Sequence, residues 1–159
     1  MASALNDIAL IALAKENFPA AEAGFQRMAA IYDSIYDQPH WLMGVARSNL
    51  GSVHLAAGRY TEAERLLREA VELYATTLSP ENMNTAIARI KLGRSLARQN
   101  RWTEAETESL AGYQLLSAQS EPGVSWLQSA RADLAAVYDA LGQPEKAQKF
   151  RAEHAQYAK

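Results

Sequence analysis

The segment 61–78 carries Ala63, Leu66, Leu67, Ala70, Val71 and Tyr74. Steps of three and one make a single stripe of helical period. The preceding segment, Val45 to Ala57, reads differently. Val45, Leu50, Val53 and Leu55 are mixed with Ala46 and Gly51, which leave one face nearly bare. A bare face suits a helix packed tightly against another. Gly58-Arg59 separates the two segments, with the Gly placed as a helix C-cap. Thr61 with Glu64 has the spacing of a capping box for the second helix, and Thr103 with Glu106 repeats it.

The pair of helices recurs. GRYTEAERLLREA at Gly58–Ala70 is echoed by NRWTEAETESLAG at Asn100–Gly112. At a shift of 42 residues Leu50 falls on Leu92 and Leu134, Gly51 on Gly93 and Ala135, and Gly58 on Asn100 and Gly142. Tyr60 falls on Trp102 and Pro144, and Ala63 on Ala105 and Ala147; one step back stand Ile8, Ala9, Phe18 and Ala21. A fixed offset of this kind marks a repeated structural unit. Four units, about 1–36, 37–78, 79–120 and 121–159, account for the chain as a single array. The pattern predicts helices near 3–15, 19–36, 40–57, 61–78, 80–99, 103–119, 123–141 and 144–157, and no strand. Pro80 and Pro122 are placed to open first helices, with Pro39 one residue off register.

These matched residues resemble the tetratricopeptide repeat (TPR). Its marks are a small residue in the first helix, Gly before the turn, an aromatic after it and Ala early in the second helix. Here they are Gly51, Gly58, Tyr60 and Ala63, then Gly93, Asn100, Trp102 and Ala105. The common repeat has 34 residues. This one is longer by 42 − 34 = 8, which with the Ser79–Asn82 turn resembles the kinesin-light-chain-like variety. Such repeats are common in bacterial proteins. The resemblance implies an all-α fold, a right-handed α-α superhelix (solenoid) of about four helix-turn-helix units. It also implies a non-catalytic scaffold that binds a protein or peptide on its concave wall. Two units depart from the pattern. The last has Pro144 for the aromatic and a polar final helix, which suits a solvent-exposed end. The first lacks both glycines, and its apolar run Ile8–Leu13 is expected either to cap poorly or to pack on something else, such as a second copy or an adjacent domain.

Composition narrows the partner. With 16 basic and 18 acidic residues the net charge is 16 − 18 = −2, so a nucleic-acid partner is not expected. No Cys is present, which excludes disulfides and thiolate metal sites. The longest apolar run, Ile8–Ala14, is too short to span a bilayer and lacks a basic flank, so no membrane partner is expected and a cytoplasmic location is the default. His40, His54 and His154 lie far apart, with no metal spacing and no phosphate-cradling loop. No cofactor, no metal and no enzymatic activity are therefore expected. His54, matched by Leu96 and Tyr138, reads as a core or half-buried histidine.

First helices line the inner wall of such arrays. Asn6, Asn49, Lys91 and Asp133 are expected to face it, followed by Leu10, Ser52, Arg94 and Ala136. Lys91, Arg94 and Arg98 stand at i, i+3 and i+7 on one helix face. With Asn6, Asn49 and Ser52 they form a candidate polar, basic floor, similar to the clamps by which some TPR domains hold peptide carboxylates. Arg forks suit that task. The plainer reading is a solvated charged face. Arg47, Arg89 and Arg131, each 42 apart, read instead as packed stems with heads paired to Glu. Trp102, matching Tyr60 and Phe18, is expected in the core; Trp41 and Trp126 break the register and are candidates for exposure. Self-association through the apolar first helix is the second function kept open.

Overall fold

In the computed structural model, residues 2–119 and 123–157 are described. They form eight α-helices and no strand: α1 Ala2–Ala14, α2 Phe18–Ile35, α3 Trp41–Ala56, α4 Tyr60–Thr77, α5 Met83–Ala97, α6 Trp102–Ser117, α7 Val124–Ala140 and α8 Pro144–Gln156. The chain divides into two compact units, Met1–Ser79 and Pro80–Lys159. In the first, α1 packs on α2, α2 on α3 and α3 on α4; in the second, α5 packs on α6, α6 on α7 and α7 on α8, with a lighter contact of α5 with α7.

The same backbone event closes the first helix of every pair. Glu16, Gly58, Asn100 and Gly142 all have positive φ, at 57°, 76°, 61° and 68°. They stand 42 residues apart. After each, an N–H reaches back five residues: Asn17 to Ala12, Arg59 to His54, Arg101 to Leu96 and Gln143 to Tyr138, at 2.8 to 3.0 Å. This is the six-to-one bond of a Schellman turn, which satisfies carbonyls that a helix end leaves open. Gly adopts the left-handed conformation freely and Asn tolerates it, whereas Glu16 holds it against the steric cost of a Cβ.

The turn also corrects the expected capping boxes. It is so short that α4 and α6 resume at Tyr60 and Trp102, with Arg59 and Arg101 as caps whose side chains make no capping hydrogen bond. Thr61 and Thr103 therefore stand inside the helices, and Glu64 pairs with Arg68 instead. The Pro readings shift for a related reason. The Asn82 side chain accepts the Asn84 N–H at 2.8 Å, so α5 begins at Met83, beyond Pro80. His40 Nδ1 accepts the Leu42 N–H at 3.2 Å, so α3 begins at Trp41, beyond Pro39. Pro122 lies outside the described residues. Pro144 does open α8, in the place the aromatics occupy elsewhere.

Within each pair the helices meet over small residues. Ala9, Gly51, Gly93 and Ala135 are buried in first helices, and Ala21, Ala63, Ala105 and Ala147 are fully buried in the second. A Cβ on Gly51 would stand 2.7 Å from Leu67 Cγ, and one on Gly93 would stand 2.9 Å from the Ser109 backbone N and 3.0 Å from the Ala105 carbonyl. Larger side chains fill the space between pairs. Phe25 and Met28 of α2 share one cluster with Leu50 and Val53 of α3. In the second unit Ala86, Ile90, Leu116, Leu127 and Ala130 form one cluster, and Leu134, Tyr138 and Phe150 belong to another.

Gly93→Ala should destabilise by roughly 1–3 kcal/mol, because not only Ser109 Oγ but the Ser109 and Ala105 backbone must move. Gly58→Ala should cost about 1 kcal/mol from backbone strain alone. Glu16→Gly should leave stability unchanged or raise it. Denaturant titration of the three variants checks the order; Gly93→Ala as mild as Gly58→Ala would contradict the close-approach account.

Candidate functional site

The candidate floor residues fall in two units, and each group has its own geometry. In the first unit Asn49 of α3 donates from Nδ2 to Asn6 Oδ1 of α1 at 2.9 Å. Ser52 Oγ turns back to the Ser48 carbonyl at 3.0 Å, a local bond within its own helix. Leu10 is exposed beside them.

The second unit carries the charges. Arg94 of α5 makes a forked contact with Asp133 of α7, Nε and Nη2 standing 2.9 and 2.7 Å from Oδ2. Burial raises the Asp133 carboxyl above its ordinary pKa, and the Arg94 hydrogen bond opposes that shift. Arg94 is thus already engaged, and Asp133, expected on the same wall, is its partner. Arg98, the C-cap residue of α5, is exposed and acts on Asp133 only through its charge. A surface cavity of about 300 Å³ opens here, walled by Arg94, Arg98, Trp102, Asp133 and Ala136. Trp102 is half-buried and forms part of this wall, a role that its register with Tyr60 and Phe18 did not suggest.

Lys91 sits deeper than a floor residue should. It is only 8% exposed, with its ammonium 5.3 Å from the ring centre of Trp126. Burial, and then the Arg94 charge, push its pKa down to about 8. Trp126 is accordingly half-buried, while Trp41 is exposed at 37%. The lysine–tryptophan contact had no signal in the repeat, since Trp126 aligns with Asn84.

The arginine ladder pairs at all three rungs. Arg47 meets Asp33 at 2.9 Å and Glu69 at 3.6 Å; Arg89 meets Glu108 at 2.8 Å; Arg131 meets Glu153 at 3.6 Å. His54 is 8% exposed, and burial holds its pKa below the ordinary value. Among the described residues no cluster of three His, Cys, Asp or Glu could hold a metal ion, and no helix is long and apolar enough to cross a membrane.

The models of the tetratricopeptide repeat match residues 1–74 and 41–108, and a further one matches 128–149. The chain belongs to the tetratricopeptide repeat family. No curated protein matches it. Two crystal structures of a Podosopora anserina protein, described as kinesin light chain nearly identical TPR-like repeats, superpose with TM-scores of 0.81 and 0.80. Each is 20% identical and covers 99% of this chain and 76% of its own. BtubC (BKLC) from P. vanneervenii superposes with a TM-score of 0.65 at 16% identity, covering 96% of this TPR chain and 78% of its own. The fold is therefore that of TPR solenoid structures and is similar to that of kinesin-light-chain TPR-like repeats.

Two measurements test this geometry. Lys91 should titrate near pH 8 by NMR of its side chain. Its folded pKa lies below the unfolded value, so its contribution to stability is lost as pH falls through 8 and regained as pH rises toward about 10.5. A Lys91→Met variant should lack that rise; a wild-type protein without it would contradict the burial. Arg94→Ala should destabilise by about 1–2 kcal/mol at pH 7, because Asp133 keeps its half-buried charge without a partner.

Proposed function

We propose that this chain is a non-catalytic scaffold, one four-unit array, that holds an acidic or carboxylate-bearing segment of a partner protein. The TPR fold supports a protein–protein interaction scaffold, and TPR proteins are generally non-catalytic. The single observation that carries the finer reading is the cavity of the second unit. There an exposed, uncommitted Arg98 stands beside an Arg94 held rigid by Asp133, with the Trp102 ring as an apolar wall. A carboxylate would take hydrogen bonds from the Arg98 guanidinium, and the residue beside it would pack on the indole. Lys91 lends positive charge from beneath more than a direct contact. Asn6, Asn49 and Ser52 belong to the reading as a polar segment of the first unit's first helices, where the Asn pair keeps free donor and acceptor capacity. A cytoplasmic setting without membrane or nucleic-acid partners is part of the same proposal.

The test is a titration of short peptides ending in a free carboxylate against their C-terminal amides, at low and high salt. Free-carboxylate peptides should bind more tightly, with an advantage that shrinks as salt rises. Arg98→Gln should reduce their affinity about tenfold or more with little change in stability, because Arg98 anchors no hydrogen-bonded pair, and Arg98→Glu should reduce it further at some cost from its charge beside Asp133. Equal binding of acid and amide, or an Arg98→Glu variant of undiminished affinity, would overturn the reading.

A second reading, self-association or docking on an adjacent domain through α1, rests on a different observation. Ile8 and Ile11 are 65% and 56% exposed, whereas their counterparts Leu50 and Val53 are buried beneath α2. Ile8→Lys with Ile11→Lys should abolish any concentration-dependent sedimentation; a wild-type chain that stays monomeric and binds no apolar dye would remove this reading.

A further inference from the structure

The seam between successive second helices is built twice, once in each unit, at an offset of two periods. In the second unit it is filled with aromatic rings. Tyr113 of α6 meets Phe150 of α8 edge-on at 5.3 Å, and Phe150 stacks on Tyr138 of α7 at 5.7 Å. The Tyr113 hydroxyl donates to Glu153 Oε2 at 2.6 Å, and the Arg131 guanidinium lies 5.7 Å over the Tyr113 ring.

In the first unit the same seam is open. Eighty-four residues back, Tyr113 becomes Ala29, Phe150 becomes Leu66 and Tyr138 becomes His54. The polar holders are kept: Glu153 becomes Glu69 and Arg131 becomes Arg47. The result is a surface cavity of about 390 Å³ whose lining includes Ala29, Arg47, Leu50, His54, Leu66 and Glu69. That is within the range of ligand pockets, roughly 300–1,000 Å³. Leu50 and Leu66 make an apolar floor. His54 Nδ1 is buried and without a hydrogen-bond partner among the described residues.

We propose that this cavity binds a tyrosine side chain of a partner protein, which takes the place that Tyr113 fills within the second unit. The ring would rest on Leu50 and Leu66 beneath the Arg47 guanidinium, and the phenol would donate to Glu69. Arg47 and Glu69 already stand 3.6 Å apart, as Arg131 and Glu153 do, so the holders are in place before the ligand arrives. Asp33, bonded to Arg47 at 2.9 Å, and Glu69, bonded to Arg65, put two carboxylates at the rim, each paired with an arginine. A neutral phenol can donate to Glu69 with these pairs left intact, whereas a phosphorylated one has no phenolic proton to donate and would have to draw Arg47 or Arg65 away from its carboxylate. The site lies within the first unit and is independent of the carboxylate-binding reading above.

The experiment is an NMR titration of the full chain with N-acetyl-tyrosinamide, N-acetyl-phenylalaninamide and N-acetyl-phosphotyrosinamide, read at Ala29, Leu66 and His54. Tyrosinamide should give saturable shifts at all three. Phenylalaninamide should bind about tenfold more weakly, for want of one charge-assisted hydrogen bond, and phosphotyrosinamide should give no saturable shift. Glu69→Gln should shrink the tyrosine advantage. Ala29→Tyr should fill the cavity from within and abolish the shifts at Leu66 and His54; if that variant does not fold, Ala29→Leu serves the same purpose. Absence of saturable tyrosinamide shifts, equal binding of the tyrosine and phenylalanine amides, or binding untouched by a folded cavity-filling variant would overturn the proposal.

Discussion

Everything in each unit depends on how closely the two helices of a pair approach. Gly51 against Leu67 and Gly93 against the backbone of Ala105 and Ser109 leave no room for a Cβ. The contact works only because Ala21, Ala63, Ala105 and Ala147 are equally small on the facing helix. The left-handed residue at 16, 58, 100 and 142 sets the angle at which the second helix returns. Turn and seam are thus one constraint, met at two places in each repeat. Glu16 shows its strength: the turn forms with the same bonds even where the residue is unsuited to it.

Once the pairs are set, the charges distribute themselves by pairing. Arg47 and Arg131 meet carboxylates at the outer seams, Arg89 meets Glu108 within its own pair, and Arg94 meets Asp133 between first helices. A face that reads as basic along α5 is therefore largely neutralised. What remains is Arg98 at its C-terminus; Lys91 is buried, and its lowered pKa records the cost of desolvation. Arg94, braced by Asp133, supplies a fixed wall more than a free hand.

Repetition also lets one geometry carry two outcomes. The outer seams of the two units share holders, Arg47 with Glu69 and Arg131 with Glu153, but differ in filling. Three aromatic positions in the second unit make a closed packing core; the Ala, His and Leu that replace them in the first leave a cavity. A helical repeat tolerates this because the inner contact of small residues holds each pair together, and the outer seam is free to open.

The sequence by itself determined the eight helices, their pairing and their small-residue seams, because these follow from short-range periodicity and a fixed 42-residue echo. It also predicted the carboxylate partners of the arginine ladder and the burial of His54. It misjudged the helix start at Pro80 and the capping boxes at Thr61 and Thr103. There, a turn geometry or a capping side chain one or two residues away decided where the helix began. Only the tertiary structure decided which charges were spent. The Arg94–Asp133 pair, the burial of Lys91 against Trp126 and the place of Trp102 in a cavity wall join residues on different helices. No period along the chain encodes such contacts, because they depend on where side chains from separate helices converge.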